Sequence, residues 1–140
     1  MKTTVYLDGI FDLFHMGHLE SIKQCRKLGN KVIIGVVSDK DAEKYKRMPV
    51  INQNQRADII RNLRIVDEVI ENAPMQLKLD FIEKYKIDLV VHAFADEKDY
   101  NKQKQFYKEI DEIGKFKRIN YYSKESTSGI IRRILENYKE

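Results

Sequence analysis

Residues 31–38, KVIIGVVS, constrain the fold more than any other stretch of this chain. The run is short, rich in β-branched residues, and apolar at odd and even positions alike. A strand apolar on both faces must be covered on both faces, as a central strand of a parallel sheet is. The neighbouring segments agree. Thr4–Gly9 (TVYLDG) reads as a first strand ending in a turn, and Leu19, Ile22, Cys25 and Leu28 recur at helical spacing across 17–28. Gly29-Asn30 supplies a helix stop. Beyond the central strand, the charged stretch 39–47 reads as a loop or short helix. Helix 54–63, strand 65–70, helix 76–85, strand 87–93, helix 99–113, strand 118–122 and helix 128–138 follow. This alternation predicts right-handed crossovers and an α/β fold, a five-stranded parallel sheet with helices on both faces. Such sheets bind ligands beyond the carboxyl ends of their strands, where strand order reverses.

A chain of 140 residues suits one domain, taken as 1–140, that buries a core without disulfides or a structural metal. Its 26 basic and 22 acidic residues leave a net charge of +4, with both signs spread along the chain. That spread fits a small anionic ligand better than nucleic acid, which calls for a concentrated basic face. Cys25 is the sole cysteine, so no intramolecular disulfide forms, and it is expected to be packed rather than reactive. MKTTVYLDG lacks the apolar core of a signal peptide, and no stretch approaches the ~20 apolar residues of a membrane span. A cytoplasmic location without membrane insertion is expected.

The chemistry concentrates after the first strand, in DGIFDLFHMGH (residues 8–18), which holds two of the three histidines of the chain. Gly17 stands between His15 and His18, where a helix must begin or a backbone must approach something closely. A helix N-terminus favours phosphate, and two imidazoles beside it can donate hydrogen bonds as charge develops. A structural or surface role is the plainer alternative for each histidine. A zinc site is disfavoured: the pair is three residues apart, lacks the acidic residue of HExxH, and has no nearby cysteine or further histidine. No metal ligand is therefore assigned to a protein side chain. Neither a Gly-rich dinucleotide fingerprint nor a Walker lysine loop is present.

GIFDLFHMGH resembles the HxGH motif of the nucleotidyltransferase superfamily, and is closest to the catalytic domains of choline-phosphate and ethanolamine-phosphate cytidylyltransferases. Glycerol-3-phosphate cytidylyltransferase is a shorter relative. The likeness continues through SDKDAEKYKRMPVINQNQR (38–56), IVDEVIENAP (65–74), IDLVVHA (87–93) and STSGIIRRI (126–134). It implies a Rossmann-like domain, a homodimer, that transfers CMP from CTP with Mg2+ to a phosphorylated small alcohol or amine. His15, His18 and Lys46 would act on the triphosphate. Gly9, Ile10, Phe11, Gly17, Arg56, His92, Ser126, Thr127 and Ser128 would bind the nucleotide. Asp12, Met75 and Tyr100 would face the acceptor. For Lys46 the plainer reading is a solvated charge run, for Arg56 an exposed helix residue, for His92 a core histidine, and for Ser126–Ser128 a simple helix cap.

Three departures bear on substrate. Met75 stands where choline-phosphate enzymes have the tryptophan of an aromatic acceptor site, and the chain contains no tryptophan. That weakens the case for a quaternary ammonium held by cation–π attraction. His92-Ala93-Phe94 replaces the family's His-Asp-Asp, with Asp96, Glu97 or Asp99 as shifted substitutes. Tyr121-Tyr122-Ser123-Lys124-Glu125 replaces most of RTEGIST, with Lys124 a candidate for the missing positive charge. An adenylyltransferase and a nucleotide-binding regulatory protein without turnover are the competing functions.

Overall fold

The computed structural model describes residues 2–138. Its five strands are β1 Thr4–Gly9, β2 Lys31–Val36, β3 Glu68–Glu71, β4 Leu89–Ala93 and β5 Phe116–Ile119. Every pairing is parallel and the spatial order is β3-β2-β1-β4-β5. The chain thus steps outward from β1 to β3, then returns to place β4 on the other side of β1. The switch point lies between the carboxyl ends of β1 and β4, where Leu7 is in register with Val91.

The period-2 alternation of side chains splits the central strands into two cores. Val5 and Leu7 of β1, with Val32, Ile34 and Val36 of β2, face Ile22 and Cys25 of α1 (Met16–Leu28) and Ala57 and Ile60 of α3 (Gln53–Arg61). Tyr6, Ile33 and Val90 point the other way, towards Ile82 of α4 (Leu79–Lys84), Tyr107, and Ile110 of α6 (Lys108–Glu112). β2 is buried from Val32 to Val36, as its two apolar faces require. A Cβ at Gly35 would stand 1.9 Å from the Tyr6 hydroxyl, so glycine is what lets that ring lie across β2.

Several boundaries differ from the periodicity. The stretch 39–47 contains a real helix, α2 (Asp39–Tyr45), capped by the Ser38 hydroxyl. Strand 65–70 shifts to Glu68–Glu71, because Ile65 and Val66 pack on the first core from the turn that precedes it. Helix 76–85 starts only at Leu79, since the Leu77 N–H donates to the Phe106 carbonyl. The helix expected over 99–113 is three pieces: α5 (Glu97–Gln103), a 3₁₀ turn (Lys104–Tyr107) and α6. The tighter turn delivers Tyr107 to the carboxyl edge of the sheet, where it is buried. The last strand is Phe116–Ile119 rather than 118–122: Phe116 pairs with Val90 and stacks on Tyr107 at 4.8 Å. The terminal helix, α7, runs Thr127–Asn137 and is capped by Ser126.

Candidate active site

The carboxyl ends of β1 and β4 open into a cavity of about 530 Å³. Its wall includes Gly9, Ile10, Phe11 and Asp12 after β1, and His15, Gly17 and His18 at the start of α1. Lys46, Met75, His92, Ser126, Thr127 and Ser128 complete the set of predicted residues that the fold gathers there. Most lie on loops or helix starts, so their convergence follows from the switch point.

His15 is the N-cap of α1, in extended backbone, and its Nδ1 accepts the Gly17 N–H at 3.0 Å. His18 Nδ1 in turn accepts the His15 N–H at 3.3 Å, closing a reciprocal capping box built from two imidazoles. With Nδ1 accepting in both rings, each neutral imidazole carries its proton on Nε2. His15 Nε2 donates to Thr127 Oγ1 at 3.2 Å, and that hydroxyl donates to the Asp12 carbonyl at 3.0 Å. His18 Nε2 has no hydrogen-bond partner among the described residues. The rings stack at 3.8 Å, and His18 is flanked by Phe11 and Phe14. Burial, then the neighbouring His15, pushes His18 down to about 3; burial also lowers His15, with Glu125 opposing. Both rings are therefore neutral donors near pH 7. Gly17 is explained by close approach: a Cβ there would sit 2.9 Å from His15 Cε1 and 3.1 Å from its Nδ1.

The loop before α1 is held under strain. Phe11 and Leu13 have φ of 56° and 50°, left-handed values that cost a non-glycine residue about 1 kcal/mol or more each. Asp12 offsets this by accepting the Val50 and Ile51 N–H groups at 2.7 and 2.9 Å. Its carboxylate thereby fastens the loop to segment 50–51, and the residue lines the cavity as well.

Arg56 has a structural role in place of the triphosphate contact expected of it. Its side chain is fully buried, unlike an exposed helix residue, and does not line the cavity. Nε donates to the Ile51 carbonyl, Nη1 to those of Ile10 and Val37, and Nη2 to Asp39 at 2.7 Å. One guanidinium thus ties the ends of β1 and β2 to α3. Tyr100 also lies outside the cavity, edge-on to Phe94 at 5.1 Å and under the Arg118 guanidinium at 4.2 Å. The α5 helix turns it towards the sheet edge, while Lys98, Asp99 and Lys102 line the cavity.

Lys46 closes α2 and stands exposed at the rim, lowered from the ordinary lysine value by partial desolvation and then by Arg47. Asp96 caps α5 and Asp99 accepts the Ala95 N–H, so neither carboxylate is unengaged. Glu97 pairs with Arg118. The positive charge near α7 comes from Arg47, whose Nη1 donates to Ser128 Oγ at 3.2 Å, rather than from the exposed Lys124. Arg47, Asp8 and Tyr107 are cavity residues that sequence reasoning missed; the first was hidden in a charge run and the last inside an ordinary helical pattern. Among the described residues, no group of three or more His, Cys, Asp or Glu could hold a metal ion.

A family model described as Cytidylyltransferase-like matches residues 6–133, which takes in β2 to β5, most of β1 and the cavity-lining residues. The chain belongs to the cytidylyltransferase-like family. It is 40% identical to the choline-phosphate cytidylyltransferase of Saccharomyces cerevisiae over 96% of this chain and 32% of that protein. It is 40% identical to human choline-phosphate cytidylyltransferase A, covering 96% of this chain and 37% of the relative. Identity to the ethanolamine-phosphate cytidylyltransferase of Dictyostelium discoideum is 35%, over 94% of this chain and 36% of the relative. The chain thus spans about a third of the length of these curated relatives. Among solved structures, the lipopolysaccharide core biosynthesis protein of Thermoplasma volcanium superposes with a TM-score of 0.71 at 25% identity, over 88% of this chain and all of the other. The α/β fold is shared with that protein. No described helix is long and apolar enough to cross a membrane.

Proposed function

We propose that this protein is a cytidylyltransferase: it moves CMP from CTP to the phosphate of a small alcohol or amine, releasing pyrophosphate and forming a CDP-linked product. Acceptors of the phosphoethanolamine, phosphocholine or glycerol phosphate type fit this reading. The observation that carries it is His18, kept neutral by burial, with its Nε2–H unpaired at a cavity that starts two helices. The names of the curated relatives support CTP as donor and a phosphorylated amine or alcohol as acceptor.

The chemistry follows from geometry. An acceptor phosphate oxygen attacks the α-phosphorus in line, and the bond to the departing pyrophosphate breaks. Negative charge grows on the phosphate oxygens in that transition state. Fixed neutral donors stabilise it without reorganising, provided they are held in place beforehand. The stack of His15 and His18, anchored through Thr127, supplies that rigidity. Lys46, at the rim, is suited to closing over the anion, and the N-terminus of α7 with Ser126, Thr127 and Ser128 to holding phosphate oxygens. The backbone of Gly9, Ile10 and Phe11 would line the nucleoside.

Mg2+ enters in this reading with CTP. No group of three or more His, Cys, Asp or Glu among the described residues gathers to hold it, so phosphate oxygens and water would be its principal ligands, a set this cation favours. It would neutralise phosphate charge, and no step is assigned to a protein-held metal. Residues 1–140 act here as one catalytic domain in the cytoplasm, on a free nucleotide and a small acceptor rather than on nucleic acid. The exposed Ile134, Leu135 and Tyr138 of the C-terminal segment favour a homodimer.

The test is pyrophosphate release from CTP or ATP across a panel of phosphorylated acceptors. CTP-specific turnover supports the proposal. ATP-specific turnover makes the protein an adenylyltransferase, and nucleotide binding without turnover a regulatory protein.

A further inference from the structure

His92 sits at the carboxyl end of β4 with a hydrogen-bond arrangement opposite to that of His15 and His18. The Tyr107 hydroxyl is 2.7 Å from Asp8 Oδ1 and 2.8 Å from His92 Nδ1. A phenol has one proton, and a carboxylate only accepts, so that proton goes to Asp8. The Tyr107 oxygen is then an acceptor, which requires a proton on His92 Nδ1. Asp8 Oδ1, 3.3 Å from the same nitrogen, imposes the same demand. A neutral imidazole protonated on Nδ1 bears its lone pair on Nε2. His92 lines the cavity, and no described residue hydrogen-bonds that nitrogen.

The device is rigid and buried. Asp8 is 5% exposed and Tyr107 3%, and the His92 ring rests against Phe94 at 4.9 Å and Tyr107 at 5.1 Å. Burial and Asp8 push the Tyr107 phenol well above its ordinary range, so it keeps its proton throughout the working pH range. Buried polar groups linked this completely specify one arrangement. The cavity consequently offers one unpaired Nε2–H donor at α1, that of His18, and one Nε2 acceptor at β4.

We infer that Tyr107 and Asp8 are positioning residues that hold His92 in its Nδ1–H tautomer, so that Nε2 accepts a hydrogen bond from an O–H or N–H on the tail of the phosphorylated acceptor. This rests on the transferase reading above and narrows its substrate class. A hydroxyl or primary ammonium tail satisfies Nε2; a trimethylammonium has no proton to give it. Met75, in place of an aromatic cage residue, leaves the quaternary ammonium without compensation.

Two measurements on the full chain test this. Long-range 1H–15N imidazole correlation on the ligand-free protein, at about pH 8, should show the Nδ1–H pattern for His92; an Nε2–H pattern overturns the positioning pair. Steady-state turnover with CTP should favour glycerol phosphate or phosphoethanolamine over phosphocholine, and His92→Asn, whose amide keeps a donor towards Tyr107 but lacks Nε2, should raise the acceptor KM roughly tenfold while leaving the CTP KM unchanged. An unchanged acceptor KM, or a wild-type preference for phosphocholine, overturns the inference. If His92→Asn does not fold, the tautomer and the wild-type acceptor preference decide the inference between them. Failure of every acceptor with CTP would sink the transferase reading and with it the acceptor contact, while the tautomer still decides the positioning pair.

Discussion

Arg56 separates a structural role from a ligand-binding one more cleanly than any other side chain here. Replacing it with methionine keeps most of the volume and removes every donor. The carbonyls of Ile10, Val37 and Ile51 then lose their Arg56 donors, at about 1 kcal/mol each. Asp39, 27% exposed, loses its partner but keeps access to water, which adds about 1 kcal/mol. The total, about 4 kcal/mol, agrees with the cost of breaking a buried ion pair. It is a large share of a typical domain stability and should lower Tm by roughly 12 °C. Thermal or urea unfolding of Arg56→Met measures this, and calorimetric titration with CTP on the folded variant measures the alternative. A Tm within about 2 °C of wild type, combined with CTP affinity down roughly tenfold or more, would refute the keystone argument and return Arg56 to the triphosphate.

Three further outcomes follow from the same geometry. Gly17→Ala should leave Tm nearly unchanged while turnover falls about 10–100-fold, because the new Cβ displaces His15 from its anchored position; kcat and a melting curve on one sample check both halves. Tyr6→Phe should stabilise the fold by about 1 kcal/mol in urea unfolding, since the Tyr6 hydroxyl is buried without a hydrogen-bond partner. Folded His18 titrates near 3 and unfolded histidine near ~6.5, so the unfolded chain takes up the proton first as pH falls. The stability that neutral His18 contributes is complete above the unfolded value and is lost as pH drops towards the folded one. This amounts to about 2 kcal/mol between pH 7 and pH 5. Urea unfolding at both pH values should show that loss in wild type and a smaller one in His18→Gln.

The architecture was legible because parallel α/β sheets write themselves into period: β2 is apolar on both faces, α1 repeats Ile22 and Cys25 at helical spacing, and Thr4–Gly9 alternates between two cores. The His15-Gly17-His18 cluster was legible because its residue types are rare and its spacing puts them at one helix start. What stayed hidden depends on contacts distant in sequence. Arg56 reads as an exposed helical arginine until Ile10, Val37 and Asp39 are brought around it. Tyr107 reads as one turn of a long helix, yet a tertiary hydrogen bond at Phe106 breaks that helix and sends the ring to Asp8. Tyr100, one helix earlier, has similar character but turns to Arg118 instead. Periodicity reports which face is buried and is silent on which polar partner waits there.

The single-turnover rate of His18→Ala with saturating CTP and acceptor, measured beside its CTP affinity, tests the central claim most directly. A donor made effective by preorganisation should cost at least ~100-fold in rate when removed, with the CTP dissociation constant changed only about threefold. A folded His18→Ala that turns over at the wild-type rate would contradict the account.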